Sequence, residues 1–147
     1  MLSDNDYIQT RLSTILIEIG TPVNLQGYKF LKDAVCFVLD DNGLINCVTK
    51  KLYPLVAKKQ GVSAAVVERS IRHCVDCAIS RKGVRGINSV FKCEVYNPYY
   101  KPSNSELIAL LAEKLIAELL ERKADEEILP TTDEESEKNL NKISKNA

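Results

Sequence analysis

Two runs of helical spacing are separated by only the few residues from Gln60 to Ser63, and this connection constrains the fold more than any other feature of the chain. Gly61 stands where a helix ends in the left-handed conformation, which glycine adopts without a Cβ clash. Ser63 is placed to cap the next helix with its hydroxyl. A turn this short holds two helices against each other in a helix-turn-helix. The helix before it is predicted to begin with Thr49 as N-cap and to carry Leu52, Leu55, Val56 and the pair Lys58-Lys59. Pro54 falls in its first turns, where the missing amide costs little.

The rest of the chain repeats the helical period. Ile8, Leu12, Ile15, Leu16 and Ile19 form one apolar face that stops at Gly20-Thr21-Pro22. A second helix is expected from near Gly27 through Leu31, Ala34, Val35, Val38 and Leu39, ending in Asp40-Asp41-Asn42-Gly43. A short helix follows around Ile87 to Phe91, then a more extended stretch from Lys92 to Lys101. Within that stretch Tyr96, Tyr99 and Tyr100 fit a packing wedge between helices better than a stacking platform for single-stranded bases. Ser103-Asn104-Ser105-Glu106 matches the capping box, and Leu107, Leu111, Lys114, Leu115 and Glu118 continue the last helix. The fold class expected is all-α: a compact bundle of about six helices containing a helix-turn-helix. Residues 1–122 form the domain and 123–147 an acidic tail, predicted to be disordered because it has little to bury.

The helix after the short turn carries the chemistry. At about 100° per residue with Val67 as origin, Ile71, Cys74, Val75 and Ala78 fall within about 80° of it. Ala65, Glu68, Arg69, Arg72, His73 and Asp76 occupy one arc from about 100° to 240°. One face is core, and the other presents two arginines, a histidine and a glutamate. Arg can donate two hydrogen bonds to guanine in a major groove, and Glu can accept one from cytosine. The plain alternative is a solvated face stitched by pairs such as Glu68 with Arg72.

Charge distribution favours the nucleic-acid reading over that alternative. The formal net charge is zero, but from Lys50 to Lys101 eleven Lys or Arg face three acids, an excess of eight positive charges. After Ala124 seven acids face three lysines. Lys50, Lys51, Lys58, Lys59, Arg81 and Lys82 are candidates for neutralising a DNA backbone, which positions a protein without specifying sequence.

Leu52-Tyr53-Pro54, Val67-Glu68-Arg69-Ser70-Ile71-Arg72-His73 and Lys101-Pro102-Ser103-Asn104-Ser105-Glu106 together resemble the C-terminal effector-domain family of the stage zero sporulation response regulator. Glu18-Ile19-Gly20-Thr21-Pro22 and Gly27-Tyr28 fit the same pattern in order, so the resemblance runs from about Leu12 to Leu119. It implies a six-helix domain whose helix-turn-helix binds short promoter boxes in double-stranded DNA, with two copies side by side. Glu68, Arg69, Arg72 and His73 take the positions of DNA-contacting residues. Gly86 to Phe91, with Gly86, Asn88 and Phe91 as candidates, takes the position of the surface facing the RNA polymerase sigma subunit. Two departures stand out. Val66 occupies a position where the family usually has arginine, which implies an altered target box. Only a few residues precede the effector-like region, so the expectation is a regulator without a receiver domain of its own.

Other chemistries find little support. Cys74-Val75-Asp76-Cys77 is a lone Cys-x-x-Cys, whereas a structural zinc site needs about four ligands. The five cysteines sit mostly in apolar helical runs and read as free, buried thiols of a reducing cytoplasm. His73 has no nucleophile arranged with it, and no glycine loop cradles a phosphate, so no catalytic residue, metal or cofactor is expected. No stretch has the roughly 18 apolar residues of a membrane span. The rival function is a protein-interaction role, as partner or antagonist of a full-length response regulator or of the sigma subunit.

Overall fold

The computed structural model describes the backbone of residues 3–145 and the side chains of residues 3–127. The described residues form six α-helices and no strand: α1 (Asp4–Glu18), α2 (Gln26–Asp40), α3 (Tyr53–Gln60), α4 (Ala64–Lys82), α5 (Val84–Phe91) and α6 (Asn104–Lys145). By its contacts the chain divides into two units, Met1–Leu115 and Ile116–Ala147.

In the first unit each helix contributes the face its spacing marks out. Leu12, Ile15 and Leu16 of α1, Phe30, Leu31, Ala34 and Val35 of α2, and Val56 of α3 are buried together with Val67, Ile71 and Val75 of α4. Leu107, Ile108, Leu111 and Leu115 of α6 close the same core. Burial of each such side chain contributes on the order of 1.5–3 kcal/mol. This apolar network holds the inner face of α4 in the core and leaves its outer face to solvent.

Local chemistry sets the ends of the helices. Ser3 accepts from Asp6 N at 3.1 Å at the start of α1. At its other end Lys82 donates to the Glu18 carbonyl at 2.8 Å and Arg81 to that of Gly20 at 3.5 Å. Two cations from α4 thus cap the negative end of the α1 dipole, whose own last turn has no basic residue. The capping box of α6 forms, with Glu106 N donating to Ser103 Oγ at 3.2 Å and Ser103 N to Glu106 Oε1 at 3.5 Å.

One boundary differs from expectation. α3 begins at Tyr53, not after Thr49, because Val48–Leu52 is a wide π-type turn. Leu52 N bonds Cys47 O at 3.1 Å and Tyr53 N bonds Val48 O, each five residues back. In an α-helix Pro54 would leave the Lys50 carbonyl without a donor and press its ring against it. The wider turn ahead of the proline relieves that conflict.

In the second unit α6 continues as helix, with Arg122 Nε 3.6 Å from Glu126 Oε1 one turn on. α6 is traced to Lys145, and most of the acidic tail expected to be disordered, from 128 to 147, has its side chains outside the described residues. No described helix is long and apolar enough to cross a membrane.

Candidate nucleic-acid interface

The three residues between α3 and α4 make the turn that their types require. Gly61 takes φ 69° and ψ 34°, and its N–H bonds Ala57 O. Ser63 Oγ accepts from Val66 N at 3.2 Å. α4 therefore starts immediately after this turn, with Ala64 and Val66 packed on the core and Ala65 exposed.

α4 is divided as its periodicity predicts. Val67, Ile71, Cys74, Val75 and Ala78 are buried, whereas Ala65, Arg69, Arg72 and His73 are exposed and Glu68 and Asp76 are half-exposed. Arg72 Nη1 donates to Glu68 Oε1 at 3.0 Å, so the i,i+4 pair foreseen in the plain reading does form. An exposed pair of this kind is worth about 0.3–0.5 kcal/mol, and one base contact worth about 1–3 kcal/mol outweighs it. Formation of the pair therefore leaves Arg72 available. Asp76 is paired with Lys101 Nζ at 2.5 Å, which offsets the second acid of the face. His73 Nε2 lies 3.8 Å from Cys77 Sγ.

The flanking cations fall into two groups. Lys50, Lys51 and Lys58 are exposed on the π turn and α3. Lys59 is exposed as well, but its Nζ contacts Asp33 at 2.9 Å, and that hydrogen bond raises its pKa. Gln60 donates to the other oxygen of the same carboxylate. Arg81 and Lys82 are exposed but reach back to α1, as described above.

Gly86, Asn88 and Phe91 are half-buried and each has an internal contact. A Cβ on Gly86 would stand 2.9 Å from Lys82 Cβ and 3.3 Å from Ile19 O. Asn88 donates to Tyr96 O at 3.0 Å and accepts from Tyr96 N at 3.1 Å, so both ends of its amide hold the following loop. Lys114 Nζ lies over the Phe91 ring at 5.1 Å. Arg85 and Ser89 are the residues of α5 that are exposed beside them.

Several ties were invisible in the sequence. Asn104 Nδ2 lies 3.2 Å from both Tyr53 Oη and the Glu68 carbonyl, joining α6, α3 and α4. Gly27 packs so tightly on α4 that a Cβ there would sit 2.1 Å from Ser70 O. The tyrosine cluster behaves as a wedge only in part. Tyr96 and Tyr100 stack at 5.4 Å, while Tyr99 is 98% exposed. Burial of the cysteines is also uneven: Cys74 is buried and Cys93 exposed, with the others between. Desolvation, then the neighbouring Cys77, pushes the Cys74 thiol up to about 11. Cys93 follows the helix end at Phe91 and lies beyond any apolar face, which explains why the expectation of general burial fails there. Among the described residues no three His, Cys, Asp or Glu side chains converge as metal ligands would.

A short-turn helix-turn-helix whose second helix has a polar, exposed outer face is the arrangement of a DNA-reading module. A family model described as the C-terminal region of the sporulation initiation factor Spo0A matches residues 12–115. The chain belongs to this family. The match begins at Leu12, the first fully buried side chain of α1, and ends at Leu115, the last residue of the first unit. The Spo0A C-terminal domain is the DNA-binding effector domain of a sporulation regulator, so a DNA-binding role for residues 12–115 follows from membership. Within this Spo0A-type domain the short turn and α4 occupy the centre of the matched region, and Val66 is half-buried at its edge, packed against the core.

Proposed function

We propose that the chain is a sequence-specific transcription regulator that reads a promoter box by laying α4 in the major groove. The observation that carries this reading is the exposed cluster of Arg69, Arg72 and His73, with Glu68 beside it, on the outer face of the second helix of a short-turn helix-turn-helix. Arg69 and Arg72 are assigned to bidentate donation toward guanine, and Glu68 to accepting from cytosine or to bracing Arg72. His73 extends the face by one further turn. Lys50, Lys51 and Lys58, whose ammonium groups have no ion pair among the described residues, take the phosphate contacts. Lys59, Arg81 and Lys82 contribute mainly field, since each already has a protein partner.

Two copies bind side by side, and α5, with Gly86, Asn88 and Phe91 as candidates and Arg85 and Ser89 exposed beside them, faces the polymerase sigma subunit. Control of sporulation genes is the process this activity serves. The test is substitution of the reading face. Arg69→Ala and Arg72→Ala are each expected to cost about 1–3 kcal/mol of specific binding and to relax preference at one base position. Variants that bind and discriminate as the parent does would exclude α4 as the reading helix and leave partner binding as the function.

A further inference from the structure

We infer that Asn104 is a positioning residue for base reading: from the first turn of α6 it holds the N-terminal half of α4 in register with the DNA. The inference rests on the assignment of α4 as the reading helix. Apolar contacts from Val67, Ile71 and Cys74 set how deep α4 lies but are non-directional, so they resist sliding and rotation weakly. Asn104 supplies direction. Its one amide nitrogen reaches two acceptors, Tyr53 Oη on α3 and the carbonyl of Glu68 on α4, both at 3.2 Å. The second acceptor belongs to a residue of the reading face itself, one turn from Arg72.

The amide is itself held. Ser103 caps the helix that begins at Asn104, and Glu106 accepts from Tyr100 Oη at 2.6 and 2.7 Å while facing Ser103 N. Glu106 is kept below the usual carboxylate range chiefly by the Tyr100 hydrogen bond, so this brace is charged at neutral pH. Tyr53 is buried and its phenol is raised by desolvation, so its oxygen stays a neutral acceptor. Asn104 thus joins both helices of the helix-turn-helix to a third, α6. Bidentate recognition requires donor–acceptor distances of about 2.7–3.2 Å, a tolerance smaller than the shift that freeing one end of a helix permits.

The test compares Asn104→Ala and the near-isosteric Asn104→Asp with Arg69→Ala and Arg72→Ala. Each is titrated on a duplex enriched by the parent chain from a randomised library and on a scramble of that duplex, at two salt concentrations. Measurements are made where circular dichroism shows every variant folded. Both Asn104 variants are expected to lower the ratio of specific to scrambled affinity about tenfold, a base contact weakened and not deleted. For the neutral Asn104→Ala, affinity for the scramble and its salt dependence stay unchanged, because no phosphate contact is lost; the added charge of Asn104→Asp is read only through the ratio. A ratio equal to the parent's, with the arginine variants impaired, overturns the role of Asn104 and leaves α4 as the reader. Equal losses on both duplexes, or a reduced salt slope, overturn it in favour of a general structural or phosphate-contacting role. Arginine variants that discriminate as the parent does remove the reading helix and this inference together.

Discussion

Replacing Gly27 with alanine adds one methyl group to the tightest helix contact described, and its cost can be worked from the geometry. The new Cβ would stand 2.1 Å from Ser70 O, 2.7 Å from Ser70 C and 3.0 Å from Cys74 Cβ, where ordinary contact begins at 3.4 Å. The first obstacle is helix backbone, so it cannot swing aside as a side chain would. α2 and α4 must separate by more than 1 Å, opening the apolar core to which both helices contribute. Overpacking of this kind costs about 1–3 kcal/mol. Alanine returns at most about 0.5–1 kcal/mol through helix propensity. Because the obstacle is backbone at 2.1 Å, the cost of overpacking falls in the upper half of its range, about 2–3 kcal/mol. The net expectation is a loss of about 1–2 kcal/mol, or about 3–8 °C in Tm for a domain of this size. Ser70 follows Arg69, so the same displacement should weaken specific DNA binding in the folded variant. Urea unfolding followed by circular dichroism measures the first effect and a duplex titration the second. A Gly27→Ala variant as stable as the parent, or more so, would refute the close approach of α2 to α4.

Two further perturbations probe other parts of the domain. The Glu106 carboxyl is held low mainly by Tyr100, so its contribution to stability is present above the ordinary carboxylate value of about 4.3 and is lost as pH falls through the lower folded value. Tyr100→Phe should lessen the fall in Tm between pH 7 and pH 3 relative to the parent, and identical pH profiles would show that the pair contributes nothing. Thiol alkylation at pH 8 should label the exposed Cys93 first and Cys74 last, because Cys74 is buried and raised to about 11. Peptide mass analysis of a time course reads the order, and early labelling of Cys74 would contradict its place in the core.

What the sequence made legible was local. A period of 3.6 residues says which face of a helix is buried, and for α4 the assignment from Val67 to Ala78 agrees with the burial of every residue used. Cap chemistry is equally local, which is why Gly61, Ser63 and the Ser103–Glu106 box could be read directly. Partners distant in sequence could not be. The bonds from Asn104 span 51 and 36 residues, and the Lys82 bond to Glu18 spans 64. Charge counting marked Arg81 and Lys82 as available to phosphate, because it records the sign of a side chain and not the carbonyl it reaches. The start of α3 was misplaced for a related reason: Thr49 is a sound N-cap by type, but the carbonyl conflict set by Pro54 decides the backbone path. Gly27 gave no signal at all, since a glycine in a first turn looks like a weak helix start until α4 is laid against it.

The most direct measurement is a binding titration of the purified chain on a sporulation-type promoter box and on a scrambled duplex, at two salt concentrations. A preference of about 10³-fold or more that persists at the higher salt is expected of a protein that reads bases through α4. Equal binding to both duplexes that collapses with salt, or no binding, would contradict sequence-specific reading by this chain.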